Sequence, residues 1–140
     1  MKILEVLTRQ RRIGNRGEKI AAKLLKKSGY RILCKNYVAF DNEIDIIAED
    51  KTTVAFIEVK TRTVGRESAN EPRPASAVTP EKQRKIIHAA KYFLAGYKKE
   101  RRASLDVIEV YLNADGTPNK TLHIKNAFNI NTAYNGRIKT

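Results

Sequence analysis

From Arg31 to Arg62 the chain is dense in β-branched and aromatic residues broken by short polar stretches, while two other stretches carry apolar residues three and four positions apart. Strand side chains alternate between faces and helical ones return every 3.6 residues, so the two patterns separate strands from helices. Ile20, Ala21, Leu24 and Leu25 predict a first helix from about Asn15 to Ser28, with Asn15 as N-cap and Gly29 as the stop. Residues 1–13 before it form a short, basic and weakly patterned segment. Arg31–Ala39, Asn42–Ala48 and Val54–Arg62 read as three strands joined by short connections, an antiparallel meander. Residues 63–79, rich in Gly, Pro, Ser and Ala, make a long connection expected to act as a flap over substrate.

Thr79 as N-cap and Pro80 at the first helical position open a second helix. Its buried stripe is expected to be Ile86, Ala90, Phe93, Leu94 and Tyr97. The helix is expected to close in Lys98–Arg102, cations that would offset its dipole or meet phosphate. Leu105–Leu112 and Thr121–Lys125 read as fourth and fifth strands around an Asn113–Gly116 turn, with a polar tail fraying from Thr132. The order α-β-β-β-α-β-β predicts an α/β fold, a mixed sheet with helices packed on it, in one domain over residues 1–140.

Charge changes this picture more than composition does. The net charge is +13, and it is unevenly spread. Residues 1–35 hold eleven Lys and Arg against two acids, residues 82–102 eight against one, and residues 36–62 only three against six. An acidic centre between basic flanks suits a protein that grips a polyanion while its centre attracts a cation. An ordinary basic surface with a solvated acidic hairpin is the plainer alternative. No apolar run reaches the roughly 20 residues that span a bilayer, and the charged start resembles no signal peptide, so a cytoplasmic protein is expected. Cys34, the one cysteine, reads as a buried strand residue and leaves no intrachain disulfide.

The candidate chemistry lies in the second and third strands. A two-residue turn at Lys51-Thr52 would set Asp45 across from Glu58, their Cβ atoms about 5 Å apart. Like charges so placed oppose folding unless something positive comes between them. Lys60 follows one pleat along from Glu58, and Glu43 one pleat from Asp45, as a second ligand or a rim charge. Glu18 lies along the edge of the first helix's apolar stripe, either a first-turn acid favoured by the dipole or a group aimed at the sheet. His88 and His123 show no ligand spacing and read as structural.

Glu18 on a first helix, Asp45 on one strand, Glu58-Val59-Lys60 on the next and a following amphipathic helix resemble the PD-(D/E)xK nuclease superfamily, the restriction-endonuclease-like fold that includes Holliday-junction resolvases. More narrowly, Gly17-Glu18, Asn42–Ala48, Glu58–Arg62 and Asn126-Ala127-Phe128 resemble the YraN family of proposed endonucleases, over roughly residues 10 to 130. Two positions depart from the pattern. Ile44 stands where the superfamily has proline, and Asn42 where the family has glycine. Neither residue type supplies a metal ligand.

The resemblance implies metal-dependent hydrolysis of phosphodiester bonds in DNA, branched or repair intermediates among them, with RNA left open. Asp45, Glu58 and the Val59 carbonyl would hold the ion, with Glu18 completing the shell through a water. Oxygen-only ligation favours Mg2+ or Mn2+. Lys60 would orient or deprotonate the attacking water. Arg16, Arg62, Lys82, Gln83 and Arg84 are the candidate nucleic-acid contacts, and resolvase-like enzymes imply a homodimer. The competing readings are a non-catalytic nucleic-acid-binding protein that keeps the fold, and an assembly partner whose basic faces bind protein.

Overall fold

The computed structural model describes residues 3–65 and 78–128, and the side chains of residues 5–10 are not described. The expected flap, apart from its ends, and the tail from Thr132 fall outside these residues. Seven elements follow one another: α1 (Ile3–Lys27), β1 (Arg31–Ala39), β2 (Asn42–Glu49), β3 (Thr53–Thr63), α2 (Pro80–Ala95), β4 (Arg102–Leu112) and β5 (Pro118–Ile124). The five strands form one sheet in the order β1-β2-β3-β4-β5. Its pairs are antiparallel except β3 with β4, which the α2 crossover makes parallel. This is the single α/β domain with a mixed sheet that the restriction-endonuclease-like resemblance implies.

The sheet is covered on both faces. Ala21, Ala22 and Leu25 of α1 pack with Ile46, Ala48, Ala55, Ile57, Ile108 and Val110. On the other side Ile86, Ile87 and Ala90 of α2 pack with Ile47, Val54, Phe56, Leu105 and Val107. Strand alternation explains the split, since Val54 and Phe56 face one helix while Ala55 and Ile57 face the other.

The β2–β3 hairpin turns at Lys51-Thr52. The Asp50 side chain accepts the backbone N–H of Thr52 at 3.0 Å and of Thr53 at 2.9 Å. That turn fixes the ladder as Glu49↔Val54, Ala48↔Ala55, Ile47↔Phe56 and Ile46↔Ile57.

β4 and β5 each begin three residues earlier than expected, at Arg102 and Pro118, and two helix boundaries differ by more. The first helix begins at Ile3 rather than Asn15, so Asn15 is an interior residue and not an N-cap. Gly14 costs a helix only about 1 kcal/mol. The good helix formers on either side carry the helix through that position. Glu18 therefore stands several turns from the N-terminus, where the dipole gives it no support.

The second helix ends at Ala95 with Gly96 as its cap and no basic residue in its last turn. Lys98–Arg102 thus does not offset the dipole. Lys99 instead reaches Glu49 at 3.1 Å, Arg101 donates to the Asp50 carbonyl at 3.3 Å, and Arg102 enters β4. Cys34 is partly rather than fully buried. No helix among the described residues is long and apolar enough to cross a membrane.

The Asn126-Ala127-Phe128 block has a structural task. The Asn126 backbone, at φ 52, donates its N–H to buried Asp106 at 3.1 Å, and the Ala127 N–H bonds the Leu105 carbonyl at 2.8 Å. His123 meets the other Asp106 oxygen at 2.7 Å, and the Ser104 hydroxyl also donates to this carboxylate. His123 is accordingly structural, as its lack of ligand spacing suggested.

Candidate active site

Alternation along β2 slips at Asp45. Ile44 and Ile47 both pack on the α2 side, whereas Ile46 and Ala48 pack on the α1 side. Across on β1, the register that pairs Lys35 with Ile46 and Tyr37 with Ile44 sets Asn36 opposite Asp45, and Asn36 has φ 54. The regular β2–β3 ladder also stops here, at Ile46↔Ile57, and the same register one step on brings Asp45 opposite Glu58. Asp45 thus occupies the point where β2 parts from β3. Its Oδ2 accepts the Val59 backbone N–H at 2.7 Å, which fixes the carboxylate against β3.

The other acids converge on this point. Glu58 and Lys60 extend the β3 face of Val54 and Phe56, and the Lys60 ammonium is 3.6 Å from Glu58. The Lys60 side chain is 30% exposed, so it reaches solvent. Glu18 arrives from α1. It can do so because Gly17 lies against Thr61, so closely that a Cβ at 17 would overlap the Thr61 hydroxyl. Asn36 ties the group together, donating from Nδ2 to Glu18 at 3.2 Å and to Glu43 at 2.9 Å.

The electrostatic result is concentrated on Asp45. Burial first, then Glu58, and then Glu18 and Glu43 push its carboxyl up from 3.8 to about 7, against the opposing pull of the Val59 N–H. Four carboxylates therefore crowd a small volume, with Lys60 as the cation bonded among them. A hard divalent ion suits both the charge and the all-oxygen donor set. No three of these acids are gathered into a ligand cage among the described residues. The fit is thus one of charge and donor type rather than of finished coordination.

The candidate nucleic-acid contacts are dispersed. Lys82 bonds the side-chain oxygen of buried Asn42 at 3.0 Å, tying the start of α2 to the start of β2. Gln83 donates to the Val78 carbonyl at 2.9 Å, and Arg84 is exposed. Arg62 is half-buried on β3, paired in register with Tyr111. Arg16 donates to the Gly116 carbonyl at 2.5 Å, bracing α1 against the β4–β5 turn. With Lys19, Lys23, Lys27 and Lys120 it lines a groove between α1 and β5.

Two residues escaped the sequence reading. Asn36 carried no motif, and its role depends on a left-handed backbone that asparagine tolerates better than most residues. Glu109 is buried, with one carboxylate oxygen unpartnered among the described residues, and pairs in register with Lys60 across the parallel ladder. Its adjacency to Lys60 exists only once the α2 crossover sets β4 beside β3.

Residues 17–110, from the glycine that seats α1 to just beyond Glu109, match the profile described as "Uncharacterised protein family UPF0102". The chain belongs to the UPF0102 family. It is 43% identical over 129 residues to a UPF0102 protein of Desulfosudis oleivorans, covering 91% of this chain and 98% of that one. It is 46% identical over 118 residues to one of Caldanaerobacter subterraneus, covering 83% and 93%. A UPF0102 protein of Chlorobium phaeobacteroides is 46% identical over 121 residues, with 83% and 93% covered. UPF0102 is the YraN-like group to which the sequence blocks pointed. The matched span holds Glu18, Asn36, Asp45, Glu58, Lys60 and Glu109, while the Asn126 block lies beyond it.

Proposed function

We propose that this chain is a PD-(D/E)xK-type nuclease that hydrolyses phosphodiester bonds of DNA, branched and repair intermediates among its substrates, with the help of Mg2+ or Mn2+. The observation that carries the reading is the gathering of Asp45, Glu58, Glu18 and Glu43 beside Lys60 where the β2–β3 ladder ends, a crowding that pushes the Asp45 carboxyl up to about 7. Clustered carboxylates with perturbed protonation in a sheet opening are costly to keep, and such groups concentrate at functional sites.

Asp45, Glu58 and the Val59 carbonyl would hold the ion, and Glu18 would complete its shell through a water. When bound, such an ion would lower the pKa of its bound water and offset the charge that builds on the phosphate. The chain's own groups do the rest. The Val59 N–H orients Asp45, and Asn36 holds Glu18 and Glu43 in place. Lys60, open to solvent beside Glu58, is placed to orient the attacking water or to hold a phosphate oxygen. The cations of the α1–β5 groove favour a polyanionic substrate, since Lys19, Lys23 and Lys27 repel one another along one stripe until an anion lies over them.

The test is cleavage of a labelled panel of single-stranded, duplex, nicked and branched DNA, and of RNA, with Mg2+ or Mn2+. The parent is expected to cut at least one substrate, and Asp45→Asn and Lys60→Ala to lose roughly a hundredfold or more in rate. Cleavage that survives both changes identifies a contaminant. Tight, salt-dependent binding with no cleavage by the parent would instead favour a non-catalytic nucleic-acid-binding protein.

A further inference from the structure

Phe40 occupies the first central position of the two-residue turn between β1 and β2, which closes at the Ala39↔Asn42 pair. Its φ is 60, a conformation that suits glycine at this position and strains a phenylalanine. The ring stands out of the core: Phe40 is 60% exposed and nearby Val38 65%. The ring is not alone on the surface. It stacks on the His88 imidazole, with centroids 4.0 Å apart and planes 8° from parallel, and meets Tyr92 edge to face at 5.3 Å. Tyr92 is itself 56% exposed and also lines a second depression with Tyr37, Phe93 and Tyr97.

The setting of this platform is cationic. The α2 helix beneath it carries Lys82, Arg84, Lys85 and Lys91 against the single acid Glu81; Lys85 pairs with Asp41 of the same turn at 3.6 Å and with Glu81 at 4.0 Å, so Lys82, Arg84 and Lys91 supply the remaining positive charge. Arg84, Lys85, His88 and Glu81 line the shallow depression beside the rings. Stacked aromatic faces interleaved with cations are what an unpaired base and its phosphate require, whereas a duplex keeps its base faces covered. The place also fits the chemistry. Phe40 is five residues before Asp45, no more than roughly 17 Å of extended chain. Lys82, bonded to Asn42, links this end of α2 to the strand that bears Asp45.

We infer that Phe40 and Tyr92, on their basic helix, form a stacking site for unpaired nucleobases, so that the substrate is single-stranded nucleic acid or a structure with a single-stranded portion close to the cleavage point. This rests on the nuclease reading for the identity of the ligand as nucleic acid. It adds which part of the nucleic acid is held, and by which residues.

Phe40→Gly separates binding from folding, because glycine relieves the strained turn while removing the ring. The experiment measures binding of the full chain to a labelled oligo-dT 20-mer and to a duplex of equal length, with EDTA present and at fixed salt. Thermal unfolding of each variant is recorded beside it. Phe40→Gly is expected to unfold no lower than the parent, yet to bind the single strand roughly five- to a hundredfold more weakly, with Tyr92→Ala acting in the same direction. Duplex affinity is expected to change less than twofold, and Phe40→Trp to restore single-strand binding. Unchanged single-strand affinity in a folded Phe40→Gly overturns the inference, as does an equal loss for duplex, which would mark the patch as a general surface or a protein contact. Because the assay contains no divalent metal and reads binding alone, a failure to cleave leaves it intact. Conversely, normal cleavage by a parent whose Phe40→Gly variant binds equally well would overturn the stacking site without touching the nuclease reading.

Discussion

Gly17 of α1 rests directly against Thr61 of β3, and a Cβ added at position 17 would overlap the Thr61 hydroxyl and stand 3.0 Å from its Cβ and Cγ2. This close approach carries Glu18, the next residue, to the mouth of the sheet. Gly17→Ala is therefore expected to destabilise the fold by about 1–3 kcal/mol and to displace Glu18. Thr61→Ala in the same chain removes the obstructing hydroxyl and methyl, leaving only the Cβ at 3.0 Å, and is expected to recover most of that loss. Denaturant unfolding of both singles and the double checks this, and simple additivity of the two changes would refute the contact.

Asp45 makes stability depend on pH in a direction opposite to most carboxylates. Its pKa is raised in the fold, from 3.8 to about 7, so the folded chain holds this proton more tightly than the unfolded one. The contribution is thus greatest at low pH and is lost as pH rises from about 4 to about 7. Asp45→Asn removes the ionisation and keeps an oxygen for the Val59 N–H. It is expected to be more stable than the parent by on the order of 1–3 kcal/mol at pH 8, with the difference shrinking as pH approaches 4. Urea midpoints of the pair across this range give the answer. An Asp45→Asn chain less stable than the parent at pH 8 would mean that the carboxylate is not under strain.

Glu49 behaves in the ordinary sense at the far end of the same strand. Tyr97 first, then Arg31 at 2.6 Å and Lys99 at 3.1 Å, hold its carboxyl down from 4.5 to about 2. Stability from this group is present above pH 4.5 and is lost as pH falls towards 2. Glu49→Gln is expected to cost about 1–2 kcal/mol at pH 7 and to flatten the acid limb of the stability curve. Melting curves between pH 2 and pH 5 compare the two, and parallel limbs would exclude the role.

Asp106 gathers His123, Ser104 and the Asn126 N–H while itself 1% exposed. Asp106→Ala leaves those donors without their shared acceptor and is expected to cost about 2–4 kcal/mol. Nucleic-acid affinity measured well below the melting temperature is expected to remain at the parent's level. A selective loss of affinity in a folded variant would give this network a functional role instead.

Much of this arrangement could be read from local chemistry. Thr79 and Pro80 announced α2, and the Asp50–Thr53 turn, with polar Lys51-Thr52 between β-rich runs, set the register that brings Asp45 to Glu58. Where a local signal competed with its context it misled. Asn15 looked like a helix start, yet the helix formers around it carry α1 back to Ile3. The Lys98–Arg102 run looked like a helix end, yet Gly96 closes α2 first and frees Lys99 and Arg101 to bind the hairpin. Asn36 and Glu109 had no local signal at all. One depends on a single left-handed backbone angle, the other on a parallel neighbour some fifty positions along the chain.

Direct titration of Mn2+ at pH 8, by calorimetry or by the paramagnetic signal of the free ion, tests whether the crowded carboxylates beside Lys60 hold a divalent ion. The expected result is one ion bound per chain, abolished by Asp45→Asn, weakened by Glu58→Gln, and bound progressively more weakly as the pH falls below about 7, where the ion must displace a proton from Asp45. Binding that is absent, or that is equally strong in the parent and in Asp45→Asn, would contradict it.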